Sequence, residues 1–159
     1  MHEQHDKKYV PVTPPAAAVD DAAVTTIAVD TKGWHELTFL IILGAADIGA
    51  TVQKVQESDA SNMSGATDVP GNDAVVGGID LDGNTVAANA AKVAATDTDK
   101  IIAHHINLHG GRKRYMDLSL TNGNGTAGNI QAILAILSCP DQSPTSDAQR
   151  GLRASLLTK

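Results

Sequence analysis

The stretch that decides the fold is "WHELTFLIIL", Trp34 to Leu43, because its apolar residues alternate with a period of two. One side of the extended chain carries His35, Leu37, Phe39, Ile41 and Leu43, and we expect this mostly apolar side to face the core. The opposite side begins polar at Glu36 and Thr38 and ends apolar at Leu40 and Ile42. The sequence therefore predicts a strand whose far end is covered on both faces, by another sheet or by a second subunit.

Other segments also read as strands. "IQAILAILSCP", Ile130 to Pro140, is apolar on both faces, which is typical of a central sandwich strand or a seam between subunits. The remaining strand-like runs are "AVTTIAVDTKG" from Ala23, "ATVQKVQESD" from Ala50, "KIIAHHINLHGG" from Lys100 and "RKRYMDLSLT" from Arg112. Only the alanine-rich residues 87–95 would tolerate a short helix. Many short strands favour a mainly β domain, a β-sandwich or jelly-roll-like fold.

Composition suggests where the domain begins and ends. A chain of 159 residues suits one domain. Residues 1–21 are polar and then proline-rich, and Pro11, Pro14 and Pro15 favour extended backbone. We expect an extended N-terminal arm or plain terminal disorder over 1–21, the β-sandwich domain over 22–139, and a short C-terminal tail over 140–159 that either docks or frays.

The net charge limits the partners. It is −6, which argues against nucleic acid or an anionic membrane as a general partner. The first residues lack the apolar core of a signal peptide and no run is long enough to span a bilayer, so we expect a soluble, unexported chain. The sequence has few aromatic residues, namely Tyr9, Trp34, Phe39 and Tyr115. The core must therefore rest on Val, Ile, Leu and Ala, with subunit contacts supplementing it.

The single cysteine, Cys139, excludes an intrachain disulfide and a multi-cysteine zinc site. We expect its thiol to be buried as a small apolar group.

His104, His105 and His109 raise the question of a metal site. On a strand, however, the rings of His105 and His109 would leave the backbone about 13 Å apart, while His104 would point into the core as a hydrogen-bonded structural histidine. We therefore predict no metal site, unless a threefold axis brings copies together.

"TNGNGTAGN", Thr121 to Asn129, contains the G-x-G-x-x-G spacing of a dinucleotide-binding loop in Gly123, Gly125 and Gly128. That function also needs a helix after the loop and a further strand with an acidic residue. The apolar run that follows suits a strand, and no second βα unit comes after it. We therefore interpret the glycines as a hairpin turn between strands and predict no cofactor.

The residues Arg112, Lys113, Arg114 and Tyr115 form the densest basic cluster of the chain. One interpretation is a solvated strand end; the other is an anchor for an acidic partner, because guanidinium groups pair bidentately with carboxylates. Serines and histidines occur without an organising catalytic motif, so we predict no catalytic residues and a protein that is not an enzyme.

The order of the segments resembles the head decoration, or cement, proteins of tailed bacteriophages. Three patterns carry the resemblance: Asp30, Lys32 and Gly33 before a bulky strand; "KVQESD" ending the next strand at Asp59; and the turn Gly111 to Tyr115 entering the penultimate strand. The match covers about Val29 to Ser138. Two segments depart from it, the loop over residues 60–73, which lacks an aromatic residue after "QESD", and the tail after Cys139.

The resemblance implies a β-sandwich or jelly-roll-like domain, commonly trimeric, on the exterior of a capsid assembled in the host cytoplasm. Its partner would be the major capsid protein, and the expected contacts are Pro11, Pro14 and Pro15 of the arm and Arg112 to Tyr115 of the turn. An alternative is a carbohydrate- or receptor-binding β-domain of a tail or fibre, although few aromatic platforms are available for sugars.

Overall fold

A computed structural model describes residues 6–142, 144 and 146–153. These residues form ten β-strands, in chain order: β1 (Lys7–Thr13), β2 (Val29–Asp30), β3 (Trp34–Leu43), β4 (Ala50–Ser58), β5 (Thr67–Asp73), β6 (Gly77–Ile79), β7 (Thr85–Val86), β8 (Ile101–Asn107), β9 (Tyr115–Asn122) and β10 (Gln131–Pro140). The described residues contain no helix that is long and apolar enough to cross a membrane.

The strands form two antiparallel sheets that pack face to face. The four-stranded sheet has the order β1-β10-β3-β8, and the six-stranded sheet has the order β2-β9-β4-β5-β6-β7. Consecutive strands β3 and β4 belong to different sheets, as do β8 and β9. The predicted mainly β sandwich is confirmed.

The strand β3 lies in the middle of the four-stranded sheet, between β10 and β8. Its pairing with β10 is continuous, with Leu37 opposite Leu137 and Ile41 opposite Ile133. Leu37, Phe39 and Ile41 are at most 1% exposed, so the predicted core-facing side of the strand is confirmed. The alternation of "WHELTFLIIL" thus fixes which side of this sheet faces the core.

The core between the sheets consists mostly of aliphatic side chains. Phe39 is its largest fully buried side chain. The six-stranded sheet contributes Val55 of β4 together with Met116, Leu118 and Leu120, which are alternate residues of β9. The scarcity of aromatic residues is therefore compensated by β-branched and leucine side chains at period two.

The opposite surface of the four-stranded sheet, which we name the outer face, is also largely apolar. Register and burial place nine apolar residues there: Tyr9, Pro11, Leu40, Ile42, Ile101, Ala103, Ala132, Leu134 and Ile136. No described residue fully covers Ile42 and Ile101, which are 38% and 62% exposed. The sequence predicted a covered surface at this end of β3, and within the described part of this chain it is open.

The predicted N-terminal arm requires a correction. Residues Lys7–Thr13 are extended, as expected, but they form the edge strand of the sandwich and pair with β10. The physical reason is that β10 is central and needs a neighbour on both sides, while an edge strand tolerates Pro11. The tail also contacts the domain, since the Tyr9 N–H donates to the carbonyl of Arg150 over 2.8 Å. Residues 1–5 lie outside the described chain.

Three smaller predictions were also wrong. Residues 87–95 form turns and bends rather than a helix. Cys139 is exposed rather than buried, because its left-handed φ of 53° interrupts the alternation of β10 beyond the core. The glycine-rich segment is not a hairpin turn, because β9 and β10 belong to different sheets and the segment crosses between them.

Phe39→Ala tests the core. We expect the free energy of unfolding to fall by about 3–5 kcal/mol, because the buried ring leaves a cavity that the surrounding strands fill only in part. Chemical denaturation provides the measurement. Val76→Ala, which shortens a side chain that is 73% exposed, is the control and is expected to change stability by less than about 0.5 kcal/mol. Equal losses in the two variants would contradict the assignment of Phe39 to the core.

Candidate functional site

The three patterns that carry the resemblance meet at one end of the sandwich, which we name the motif end. Tyr115, the first residue of β9, pairs with Asp30 of β2 on one side and with Ser58 of β4 on the other. The turn 108–114 enters β9 from the end of β8. Segments that are far apart in sequence are adjacent here because β9 lies between β2 and β4.

A bidentate ion pair joins the first and third patterns. The Nε and Nη2 atoms of Arg114 donate to the two carboxylate oxygens of Asp30 over 2.9 and 2.7 Å. This pairing lowers the pKa of Asp30 and raises the pKa of Arg114. The guanidinium carbon also lies 5.1 Å from the centre of the Tyr115 ring, a cation–π distance. Both charged side chains remain partly exposed, so the pair mainly orients the turn.

Glu57 joins the second pattern to the third. Its carboxylate is 9% exposed and accepts hydrogen bonds from Arg112 Nη1 over 3.4 Å and from the backbone N–H of Lys113 over 3.3 Å. The Lys113 ammonium turns the other way and donates to Thr67 Oγ1 over 3.1 Å. A nearly buried carboxylate needs such donors because burial alone disfavours its charge.

A cleft of about 480 Å³ opens at the motif end. Its lining includes Trp34 and four cationic side chains, Lys32, Arg112, Lys113 and Arg114, with Asp59 as the acidic residue. Arg112 and Arg114 are engaged by Glu57 and Asp30. No described carboxylate lies within ion-pair distance of the Lys32 or Lys113 ammonium. These two lysines are therefore the cations best placed to meet the carboxylates of a partner.

The structure does not bring the predicted contact residues together. Lys7 of β1 is opposite Ser138, at the motif end, so β1 runs away from the basic turn. Pro14 and Pro15 follow β1 at the far end of the sheet, and Pro11 lies on the outer face opposite Leu134. All three prolines are exposed. Their contact with a partner stays a prediction, but they belong to a different surface from Arg112 to Tyr115.

Sequence reasoning missed a pair of stacked histidines at the motif end. The rings of His35 and His109 lie 4.4 Å apart and are nearly parallel. The Nε2 atom of His35 is also 2.8 Å from the Asp141 carboxylate. The pair forms because the Leu108 N–H donates to the carbonyl of His35, which holds the turn beside the start of β3. No local pattern indicates this contact, because the two residues are 74 positions apart in the sequence.

His104 is a structural residue of the sandwich interior, as predicted. Its ring nitrogens lie 2.9 Å from Gln53 Nε2 and 2.6 Å from Asn72 Oδ1. Gln53 is fully buried on β4 and its Oε1 accepts the backbone N–H of Val93. Burial lowers the pKa of His104 to about 4. His105, in contrast, points outward to Thr38, so the three histidines of this segment do not converge on one point.

Two carboxylates of the same chain accept hydrogen bonds from the backbone of the glycine-rich loop. One oxygen of Asp47 accepts the backbone N–H groups of Thr126 and Ala127, each over 2.6 Å. Asp20 accepts the N–H of Gly125 over 2.7 Å. These hydrogen bonds lower the pKa of Asp47. The N–H groups that would cradle a phosphate are thus already used, and the loop leads into the strand β10 rather than a helix.

The described residues contain no group of three His, Cys, Asp or Glu side chains that could hold a metal ion. Comparison of the chain with protein-family models, with curated proteins and with solved structures gave no match. The interpretation of the site therefore depends on its geometry and on the resemblance given by the sequence patterns.

His104→Gln tests the buried histidine. An unfolded histidine, with its ordinary pKa of 6.5, takes up a proton before the folded protein does. The free energy of unfolding should therefore fall as the pH decreases from about 6.5 to about 4, by up to about 3 kcal/mol. Carboxylates such as Asp30 and Asp47 contribute below their ordinary value of 3.8.

Denaturation at several pH values measures this dependence. The loss between pH 6.5 and 4 should be much smaller in His104→Gln, while His105→Gln, on the outer face, should behave as the unaltered chain does. Equal pH profiles for all three proteins would refute the role of His104.

The filled glycine loop predicts that a dinucleotide does not shift the melting temperature of the protein. A ligand that binds the folded state raises the melting temperature with its concentration. A thermal-shift titration with NAD provides the measurement. A concentration-dependent rise would show that Asp47 does not block the loop.

Proposed function

We propose that this chain is a virion structural protein that binds the outer surface of a tailed-phage capsid and stabilises the shell. Its partner is the major capsid protein, and its place is the capsid exterior after assembly in the host cytoplasm. The observation that carries the proposal is the convergence at the motif end. Three patterns shared with decoration proteins, separated by as many as 85 positions from Asp30 to Tyr115, are joined there by the ion pairs of Arg112 and Arg114.

The internal ion pairs support a surface that is fixed before binding. Arg114 and Asp30 hold the basic turn against β2, and Arg112 and Glu57 hold it against β4. A surface that is already ordered loses less conformational entropy when it binds. Lys32 and Lys113 remain available to pair with acidic groups of the shell, and Trp34, which also lines the cleft, provides apolar contact area.

The charge distribution supports a defined orientation on the partner. The chain as a whole carries a net charge of −6, whereas cations dominate the lining of the cleft. An acidic surface would repel most of the domain and attract this end, which favours one docking direction. On a lattice of identical sites, modest contacts per chain combine into firm attachment when several copies are linked.

The first experiment measures the copy number of this chain in purified particles from its source by quantitative mass spectrometry. A copy number comparable with that of the major capsid protein supports the proposal. A handful of copies contradicts it and would favour the alternative, a carbohydrate- or receptor-binding domain of a tail or fibre, which a glycan-binding screen would then test. Complete absence from the particles also contradicts the proposal.

Charge reversal at the cleft tests the contact surface. In Lys32→Glu combined with Lys113→Glu, we expect the apparent affinity for particles stripped of this chain to fall roughly tenfold or more, because two attractions become repulsions. A pelleting assay measures the bound fraction. The matched control, Lys92→Glu with Arg153→Glu, makes the same change in net charge elsewhere. Equal binding by the two variants would rule out the cleft as the contact.

A further inference from the structure

The outer face lacks a partner among the described residues, and its side chains form rows across the sheet. The central row runs Pro11, Leu134, Leu40 and Ala103, one residue from each strand in the order β1-β10-β3-β8. Its two large residues stand on the inner strands and its two smaller ones on the edges. The two leucines therefore project furthest from the sheet, and the smaller side chains on the edge strands project less.

The rows on either side differ in polarity. Toward the far end, Ala132 of β10 stands beside Ile42 of β3. Toward the motif end, the outermost row contains Ser138 and Glu36, which are joined by a hydrogen bond of 3.1 Å. The outer face therefore has an apolar part and a polar border in which Ser138 and Glu36 are paired with each other.

We propose that a second copy of this chain covers the outer face, related by a twofold axis that runs parallel to the strands. This axis reverses the order of the strands in the second copy. Each row of one copy therefore faces the same row of the other copy. Leu134 then meets Leu40 of the second copy, and small Ala132 meets large Ile42. In the border, Ser138 meets Glu36 and Lys7 meets Asn107, so no like charges are opposed.

The alternative twofold axis, perpendicular to the strands, is unfavourable. It would place the polar border of one copy over the apolar rows of the other, with Glu36 close to Ile42. Burying a carboxylate against an aliphatic side chain without a cation costs free energy. The pattern of the rows thus selects one symmetric arrangement.

The size of the outer face fits a pair of chains. Four strands about 4.8 Å apart and four rows about 6.8 Å apart give a footprint of roughly 500 Å². Two such footprints total roughly 1,000 Å², which is the lower limit for a specific interface. Aligned packing of two sheets, about 10 Å apart, is the ordinary way to bury such faces.

The proposed dimer differs from the trimer that the resemblance implies, and it does not depend on the proposed function. The contact with a capsid is assigned to the motif end, whereas self-association is assigned to the outer face. Failure of one leaves the other standing, because different residues carry them.

Sedimentation equilibrium of the full chain over a concentration series tests the proposal. We expect the unaltered chain to sediment at twice its monomer mass and Leu40→Thr with Leu134→Thr to sediment as a monomer with the same far-ultraviolet circular dichroism spectrum. Threonine keeps the strand preference while removing the apolar contact. The matched control, Ile79→Thr with Leu81→Thr, alters side chains that are 65% and 78% exposed on another surface, and it should remain a dimer.

Three outcomes would overturn the proposal. The unaltered chain could be monomeric at every concentration, it could form a trimer, or its dimer could persist in the double variant. A monomer whose melting temperature falls only in the double variant would show that the chain's own residues occupy the outer face.

Cross-linking tests the orientation of the two copies. Pro11→Cys and Ala103→Cys, on the two edge strands, are prepared as separate proteins, each with Cys139→Ser, and are then mixed and treated with a short bis-maleimide. We expect the mixture to give far more cross-linked dimer than either protein alone, because these positions face each other across the axis. Equal yields in the mixture and in the separate proteins would overturn the arrangement.

Discussion

The antiparallel pairing of β3 with β10 is the constraint on which the rest of the structure depends. The strand β10 is apolar on both faces and β3 is so at its far end, so both need neighbours along their edges and cover above and below. The pairing supplies one shared edge, and β8 and β1 supply the other two. The core-facing side is covered by the six-stranded sheet through Leu118 and its neighbours. The outer face receives no such cover within the described chain, and this is the origin of the proposed self-association.

Buried polar side chains tie the two sheets together where the aliphatic core ends. Gln53 on β4 contacts His104 on β8, which is a link between the sheets, and it also holds the backbone at Val93. Asn129 plays a similar part beside the glycine-rich loop, since its amide bonds to the backbone of Asp47 and Ile48. Such groups are costly to bury unless they are satisfied. Their hydrogen bonds fix loops that a small core with few aromatic residues could not position by packing alone.

The same principle explains why two conspicuous motifs already have partners within the chain. The glycine-rich loop has the backbone donors of a phosphate site, but Asp47 and Asp20 already accept their hydrogen bonds. The basic turn has the guanidinium groups of an anion site, but Asp30 and Glu57 engage Arg114 and Arg112. In both cases carboxylates from distant segments of the chain accept the hydrogen bonds that the motif offers. We assign the contact with a partner to the lysines of the cleft and self-association to the outer face.

The sequence by itself determined the mainly β class, the core-facing side of β3 and the inward position of His104, because period-two alternation is a local property of the chain. It also indicated that β10, and the far end of β3, are apolar on both faces. Only the tertiary structure decided that Lys7–Thr13 is an edge strand, that the glycine loop crosses between sheets, and that Arg114 meets Asp30. These features depend on which strands become neighbours. Pairing is set by contacts between residues far apart in sequence, which no local pattern encodes.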